Sequence, residues 1–281
     1  MFVKSRQIKV KLILRNIEQF YKSLNLEQNI AHPPKLSGIH LRNLIIDIGN
    51  TRIKGGVFEN GKLISEYYWK DIHEVEKVYL EKGIAHVLVS SVKEKQNEFR
   101  DILDFPFMYF DKNTPLPILN LYSTPDTLGS DRLAGVVGGL SLVGKGPILS
   151  IDLGTCITYD LLSADLEYLG GAISPGLEMR ASAMALQTRN LPKVDLVGGE
   201  SVSDIGNSTI RAIQAGIYYG VKGEIAEFIN SYSEKHENLT VFLCGGDANF
   251  FEKLTKDHIF VIPNLVLHGL NRILTYNVDK N

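Results

Sequence analysis

The chain repeats one short unit, a buried strand ending in Asp-x-Gly, and that repeat restricts its fold more than any other feature. Leu44-Ile45-Ile46 runs into Asp47-Ile48-Gly49-Asn50-Thr51, then Ile53, Val57 and Phe58. Glu59-Asn60-Gly61-Lys62 comes next. Asn-Gly between apolar runs signals a tight hairpin, which predicts a third strand over Leu63 to Trp69. The pattern returns at Ile148-Leu149-Ser150-Ile151, leading into Asp152-Leu153-Gly154-Thr155 and Ile157-Thr158-Tyr159-Asp160-Leu161. A polar turn at Ser163 to Asp165 and a strand at Tyr168-Leu169 complete the second copy. Two copies of a β-meander predict two similar domains.

Helices and strands alternate between and after the copies. Helical patterns cover Val75 to Lys82, Ser130 to Val143, Gly176 to Gln187, Asn207 to Ser233 and Asn264 to Tyr276. Asn207 or Ser208 is placed to cap the longest. Ala85 to Ser90 reads as a buried strand, and Val241 to Leu243 as the last one. The expected class is α/β with a mixed sheet in each half.

At 281 residues there is material for two domains. A net charge of −2 offers no basic surface for nucleic acid or an anionic membrane. No apolar run is long enough to span a bilayer. Cys156 and Cys244 form no C-x-x-C pair, which argues against a zinc site and suits core thiols in a reducing cytoplasm. Residues 1–42 differ from the rest: they are basic, nearly lack acids and end near His32-Pro33-Pro34. They lack the continuous apolar region of a secretory signal, and we read them as a loosely attached amphipathic extension.

The Asp-x-Gly turns carry chemistry. A glycine after a buried strand lets the backbone approach a ligand closely, and successive N–H groups then form an anion-binding concavity. The Asp faces a cation better than it faces phosphate. Mg²⁺, which takes one or two carboxylates plus phosphate oxygens, suits it. A single Asp-x-Gly is often only a turn; two copies at the ends of buried strands point to polyphosphate.

Asp47-Ile48-Gly49-Asn50-Thr51 and Asp152-Leu153-Gly154-Thr155 resemble the two phosphate motifs of the actin/Hsp70/hexokinase superfamily. Further motifs are Gly129-Ser130-Asp131-Arg132, Gly170-Gly171-Ala172-Ile173-Ser174-Pro175-Gly176, Thr188, Leu191-Pro192 and Gly245-Gly246-Asp247. With them the ordered set, from Leu44 to the C-terminus, is similar to type III pantothenate kinase. Cys156, where that family usually has Ala, is a small departure.

The resemblance implies two RNase H-like domains, residues 43–145 and 146–281, duplicated as in actin and Hsp70, with an ATP cleft between them. It implies phosphorylation of pantothenate to 4'-phosphopantothenate by ATP with Mg²⁺, the first step of coenzyme A biosynthesis, in a cytoplasmic homodimer. Asp47, Ile48, Gly49, Asn50, Thr51, Arg52, Ile53 and Lys54 would wrap the ATP phosphates, with Thr155 opposite. Gly129, Ser130, Asp131 and Arg132 would line the pantothenate pocket, Asp131 taking the proton from the primary hydroxyl. Tyr122 and Thr188 would contact substrate, and Asp152 would serve a monovalent cation, K⁺ or NH₄⁺. Gly245 and Gly246 would let adenosine approach the backbone.

Plainer readings stand beside these. Asp131 suits the N-terminus of a helix by charge alone, Lys54 a solvated strand edge, and Tyr122 simple loop packing. Two G-x-x-x-x-G-K stretches, Gly56 to Lys62 and Gly139 to Lys145, lack the Ser or Thr of a P-loop. Rival functions are another kinase or phosphohydrolase of the superfamily, a non-catalytic ATP-binding regulator, or an interaction scaffold.

Overall fold

The computed structural model describes residues 41–49, 52–92, 96–196, 202–254 and 258–280. The chain separates into two units, Met1–Ile39 and His40–Asn281. Residues 1–40 of the basic extension, with its helical pattern, lie outside the described residues; Arg42, read as the last residue of that extension, instead opens β1 opposite Glu59, and every described element belongs to the second unit.

That unit holds two mixed sheets. The first contains β1 (Arg42–Ile48), β2 (Ile53–Glu59), β3 (Lys62–Trp69), β4 (Ile84–Ser91) and β5 (Met108–Tyr109), in the order β3-β2-β1-β4-β5. The second contains β6 (Leu119–Asn120), β7 (Ile148–Leu153), β8 (Cys156–Leu162), β9 (Glu167–Pro175), β10 (Thr240–Cys244) and β11 (Ile259–Val261). Its order is β11-β10-β7-β8-β9-β6. Without β6, the second sheet repeats the first strand for strand. In each, an antiparallel meander is extended by two parallel strands on the far side of its first member. The predicted duplication is therefore one of topology as well as of motif.

Local chemistry explains the elements. Glu59 pairs with Lys62 across a two-residue turn in which Asn60 and Gly61 both take positive φ, as an Asn-Gly hairpin requires. This also disposes of the first P-loop mimic, since Gly56 to Lys62 crosses that hairpin. Helices α1 (Glu74–Lys82) and α2 (Gln96–Arg100) belong to the first half. Val75, Val78 and Phe99 from these helices join Leu44, Ile46 and Val89 in one core. The second half adds α4 (Leu177–Gln187) and α5 (Thr209–Ser233). Ser208 caps α5 by accepting from the Arg211 amide. Ile217, Tyr218 and Val221 of α5 are core residues buried with Ile151, Leu153 and Tyr159.

Two helices link the sheets. Helix α3 (Ser130–Val143) packs on β7 and β8, while α6 (Leu265–Val278) packs on β1, β4 and α3. At their crossing Gly269 lies so close to α3 that a Cβ there would run into the Ala134 carbonyl. The C-terminal helix thus returns to the N-terminal sheet and covers the strand pair β1–β4.

Several elements depart from the sequence reading. β11 lies beyond Val241–Leu243, which is therefore not the last strand. β9 continues through Gly170 and Gly171 to Pro175. β5, β6 and α2 carry no periodic signal because they are five residues or fewer and exist through their partners. Cys244 is buried as expected, but Cys156 is only partly so.

Candidate active site

The two Asp-x-Gly turns occupy equivalent places at the ends of β1 and β7. In the first, Gly49 N–H donates to the Arg52 carbonyl at 3.1 Å, and β1–β2 pairing sets Asp47 opposite Lys54 and Ile48 opposite Ile53. Lys54 is partly buried, so it is not the solvated edge residue of the plainer reading. Asn50 and Thr51 lie outside the described residues; Arg52 is exposed. In the second turn Gly154 N–H donates to the Cys156 carbonyl at 3.1 Å, Asp152 faces Thr158, and Thr155 is exposed. On the parallel side Asp47 aligns with Ser90, and Asp152 with Cys244.

The second turn is braced from two directions. Gly176, between β9 and α4, donates its N–H to the Thr155 carbonyl at 3.1 Å, and it sits so close to Gly154 and Thr155 that no side chain would fit. From the other direction Gly245 adopts φ +89 and presses on Asp152 and Leu153, while the Asp247 amide donates to the Leu153 carbonyl at 3.0 Å.

Charge gathers here. Burial pushes the Asp47 carboxyl up to about 7, Lys54 pulls it back, and the charges of Asp131 and Asp152 add to the push. Burial likewise raises Asp152 to about 6, with Asp131 adding and Lys54 opposing. Both loops and the start of α3 therefore share one electrostatic environment. Carboxylates raised in this way fit a cation. Among the described residues no three His, Cys, Asp or Glu side chains gather as a metal cage.

Gly129 is the N-cap of α3, and Asp131 lies in its first turn, accepting from the Arg132 amide at 2.9 Å. Ser130 meets the buried Ser90 hydroxyl at 3.2 Å, which ties the helix start to β4. Arg132 is 6% exposed; its Nε donates to Asp160 Oδ1 at 2.8 Å. Nη2 lies 2.7 Å from the same oxygen but without hydrogen-bond alignment, so it pairs by charge alone. Tyr168 donates to that oxygen as well, at 2.7 Å. The Tyr122 ring packs 5.5 Å from the Arg132 guanidinium carbon and 6.0 Å from the Tyr168 ring.

The structure thus brings Asp47, Lys54, Asp131 and Asp152 into one field, and Tyr122 against Arg132. It does not bring Thr188 into that group: this residue ends α4, exposed, its hydroxyl donating to the Met184 carbonyl at 2.7 Å. Asp160 and Tyr168 were missed by sequence reasoning. The lone acid of β8, set between Tyr159 and Leu161, was the available signal.

A sequence profile described as type III pantothenate kinase matches residues 43–231. The chain belongs to this family. A type III pantothenate kinase from Cytophaga hutchinsonii is 43% identical over 238 residues, covering 84% of this chain and 100% of the relative. One from Bacteroides fragilis is 41% identical over 241 residues, covering 84% and 98%. Among solved structures, a conserved Campylobacter jejuni protein described as a putative Baf family transcriptional activator superposes with a TM-score of 0.54 at 20% identity. That match covers 84% of this chain and 99% of the other, and it supports the fold alone. The family match leaves out the basic extension.

Proposed function

We propose that this chain transfers the γ-phosphoryl group of ATP, bound with Mg²⁺, to the primary hydroxyl of pantothenate, the entry step to coenzyme A. The observation that carries the reading is the tie between the start of α3 and the first loop: Ser130, next to the candidate base Asp131, meets Ser90 at 3.2 Å, and Ser90 aligns with Asp47 on β1. Residues 43–145 and 146–281 form the two lobes. Asp47 to Lys54 and Thr155 hold the phosphates, and Gly245 and Gly246 leave room for adenosine. Asp131 accepts the hydroxyl proton as the nucleophile is aimed along the transfer line.

Gly129, Ser130 and Arg132 line the acceptor pocket with Tyr122; Thr188, exposed at the end of α4, is assigned to substrate by the family resemblance alone. The Arg132 charge is already balanced by Asp160, so it orients a substrate carboxylate more than it attracts one. Asp152 serves K⁺ or NH₄⁺, whose charge offsets the desolvation that raises its carboxyl. The protein works as a cytoplasmic homodimer. The homodimer is supported by Leu169, Ile173, Met179 and Leu186, large apolar side chains left exposed on the consecutive elements β9 and α4. No helix among the described residues is long and apolar enough to cross a membrane.

The test is ADP release from ATP and Mg²⁺, with and without pantothenate, in K⁺ and then Na⁺ buffer. Pantothenate-dependent release that needs K⁺ is expected. Nucleotide binding without release would turn the reading to a regulator, and release with a sugar instead would turn it to another kinase of the superfamily.

A further inference from the structure

A second polar cluster lies behind the second phosphate loop, on the α5 side of the sheet. Glu224 of α5 is its centre. Its Oε1 accepts from the Tyr159 hydroxyl at 2.8 Å and from Ser174 Oγ at 2.5 Å, and its Oε2 pairs with Arg180 Nη2 at 2.5 Å. Arg180 also donates from Nε to the Pro175 carbonyl at 2.8 Å. One carboxylate thus joins β8, β9, α4 and α5. Burial works against its charge, yet the donors from Ser174, Arg180 and Tyr159 hold it below the usual carboxylate range. Tyr159 is fixed in turn by the Phe228 ring, stacked at 4.1 Å.

Ser174 and Pro175 end the strand whose next residue, Gly176, supports Thr155. The chain of contact is short: Glu224 to Ser174 and Arg180, these to the Ser174-Pro175-Gly176 corner, and Gly176 N–H to the Thr155 carbonyl. Gly176 has no slack, because its backbone lies directly on Gly154 and Thr155. A shift of the corner must therefore move the loop.

We propose that Glu224 and Arg180 are positioning residues for the second phosphate loop, setting the Gly154–Thr155 backbone without touching the ligand themselves. The proposal rests on the reading of that loop as a nucleotide-phosphate site. A brace that serves only the fold would lower stability and leave nucleotide affinity alone. A positioning role lowers affinity beyond any loss of stability.

The experiment compares the full-length wild type with Glu224→Gln, Arg180→Lys and the double variant. Mg²⁺–ADP binding is measured by calorimetry, and melting temperature in parallel. Arg180 and Glu224 side chains are 24% and 22% exposed, so Arg180→Lys keeps the charge in a site with room for it and guards against a Glu224 variant that does not fold. Loss of an oriented charged hydrogen bond predicts about a tenfold rise in the ADP dissociation constant for Glu224→Gln. A smaller rise is expected for Arg180→Lys, and the double variant should be little worse than Glu224→Gln, since both act through one corner. Unchanged ADP affinity in folded variants, with or without a lower melting temperature, overturns the proposal; so does strict additivity. The titration needs no pantothenate, so a wild type that binds ADP but fails to phosphorylate pantothenate would remove the substrate assignment and leave this test standing.

Discussion

Arg132 Nε and the Tyr168 hydroxyl converge on the same oxygen of Asp160, at 2.8 and 2.7 Å, inside a region where Arg132 and Asp160 are 6% and 1% exposed. Removing the Asp160 charge strands a buried guanidinium. Asp160→Asn is therefore expected to cost about 3–5 kcal/mol of stability, read by urea unfolding. In whatever fraction folds, the KM for pantothenate should rise about tenfold while ADP affinity stays within error, because Arg132 is then free to turn.

Asp131 keeps its backbone contact to Arg132 through either a carboxyl oxygen or an amide oxygen, so Asp131→Asn should preserve the start of α3. Turnover is expected to fall about 10²-fold or more, the scale of a lost general base. Steady-state kinetics beside an ADP titration decide it, and retained turnover would remove Asp131 from its role.

Burial and the Asp131 charge raise the Asp152 carboxyl, and the proposed monovalent cation would offset that shift. Asp152→Asn should abolish stimulation by K⁺. Assays in matched K⁺ and Na⁺ buffers read this directly; an unchanged ratio would refute the assignment.

His268 of α6 stands edge-on to Phe58, 5.4 Å between ring centroids, and burial lowers its pKa to about 4. A depressed histidine binds its proton more readily when unfolded, so its contribution is present above about 6.5 and is lost as the pH falls toward 4. The wild type should therefore lose about 2–3 kcal/mol over that window relative to His268→Phe, as measured by denaturant unfolding at stepped pH.

Gly269 gives a further stability test. A methyl group there meets the Ala134 carbonyl, backbone that cannot rotate away, so Gly269→Ala should destabilise by about 2–4 kcal/mol. Thermal unfolding with no shift would mean that the two helices separate more easily than their packing indicates.

Much of this molecule is legible from local chemistry. Asn60-Gly61 announces its hairpin, Ser208 caps its helix, and the two Asp-x-Gly turns mark equivalent strand ends because a buried apolar run and a glycine are both local signals. What escapes is relational. β6 is two residues long and exists because Leu119 and Asn120 find Glu167 and Tyr168 far along the chain. The Asp160–Arg132 and Glu224–Arg180 pairs join residues on different elements, and no spacing rule links their members. β9 reads as a broken strand because Gly170-Gly171 hides the alternation around it.

The two Asp-x-Gly hairpins share a backbone but not their cross-strand partners. Asp47 looks across at a lysine, Asp152 at a threonine. A frame repeated in every particular would accept a row of phosphates equally well in either direction. An ammonium group on one side and a hydroxyl on the other make the two turns chemically distinct. The duplicated scaffold is thereby asymmetric at its two turns: a charge can be answered by a cation beside the first carboxylate and only by a hydroxyl beside the second.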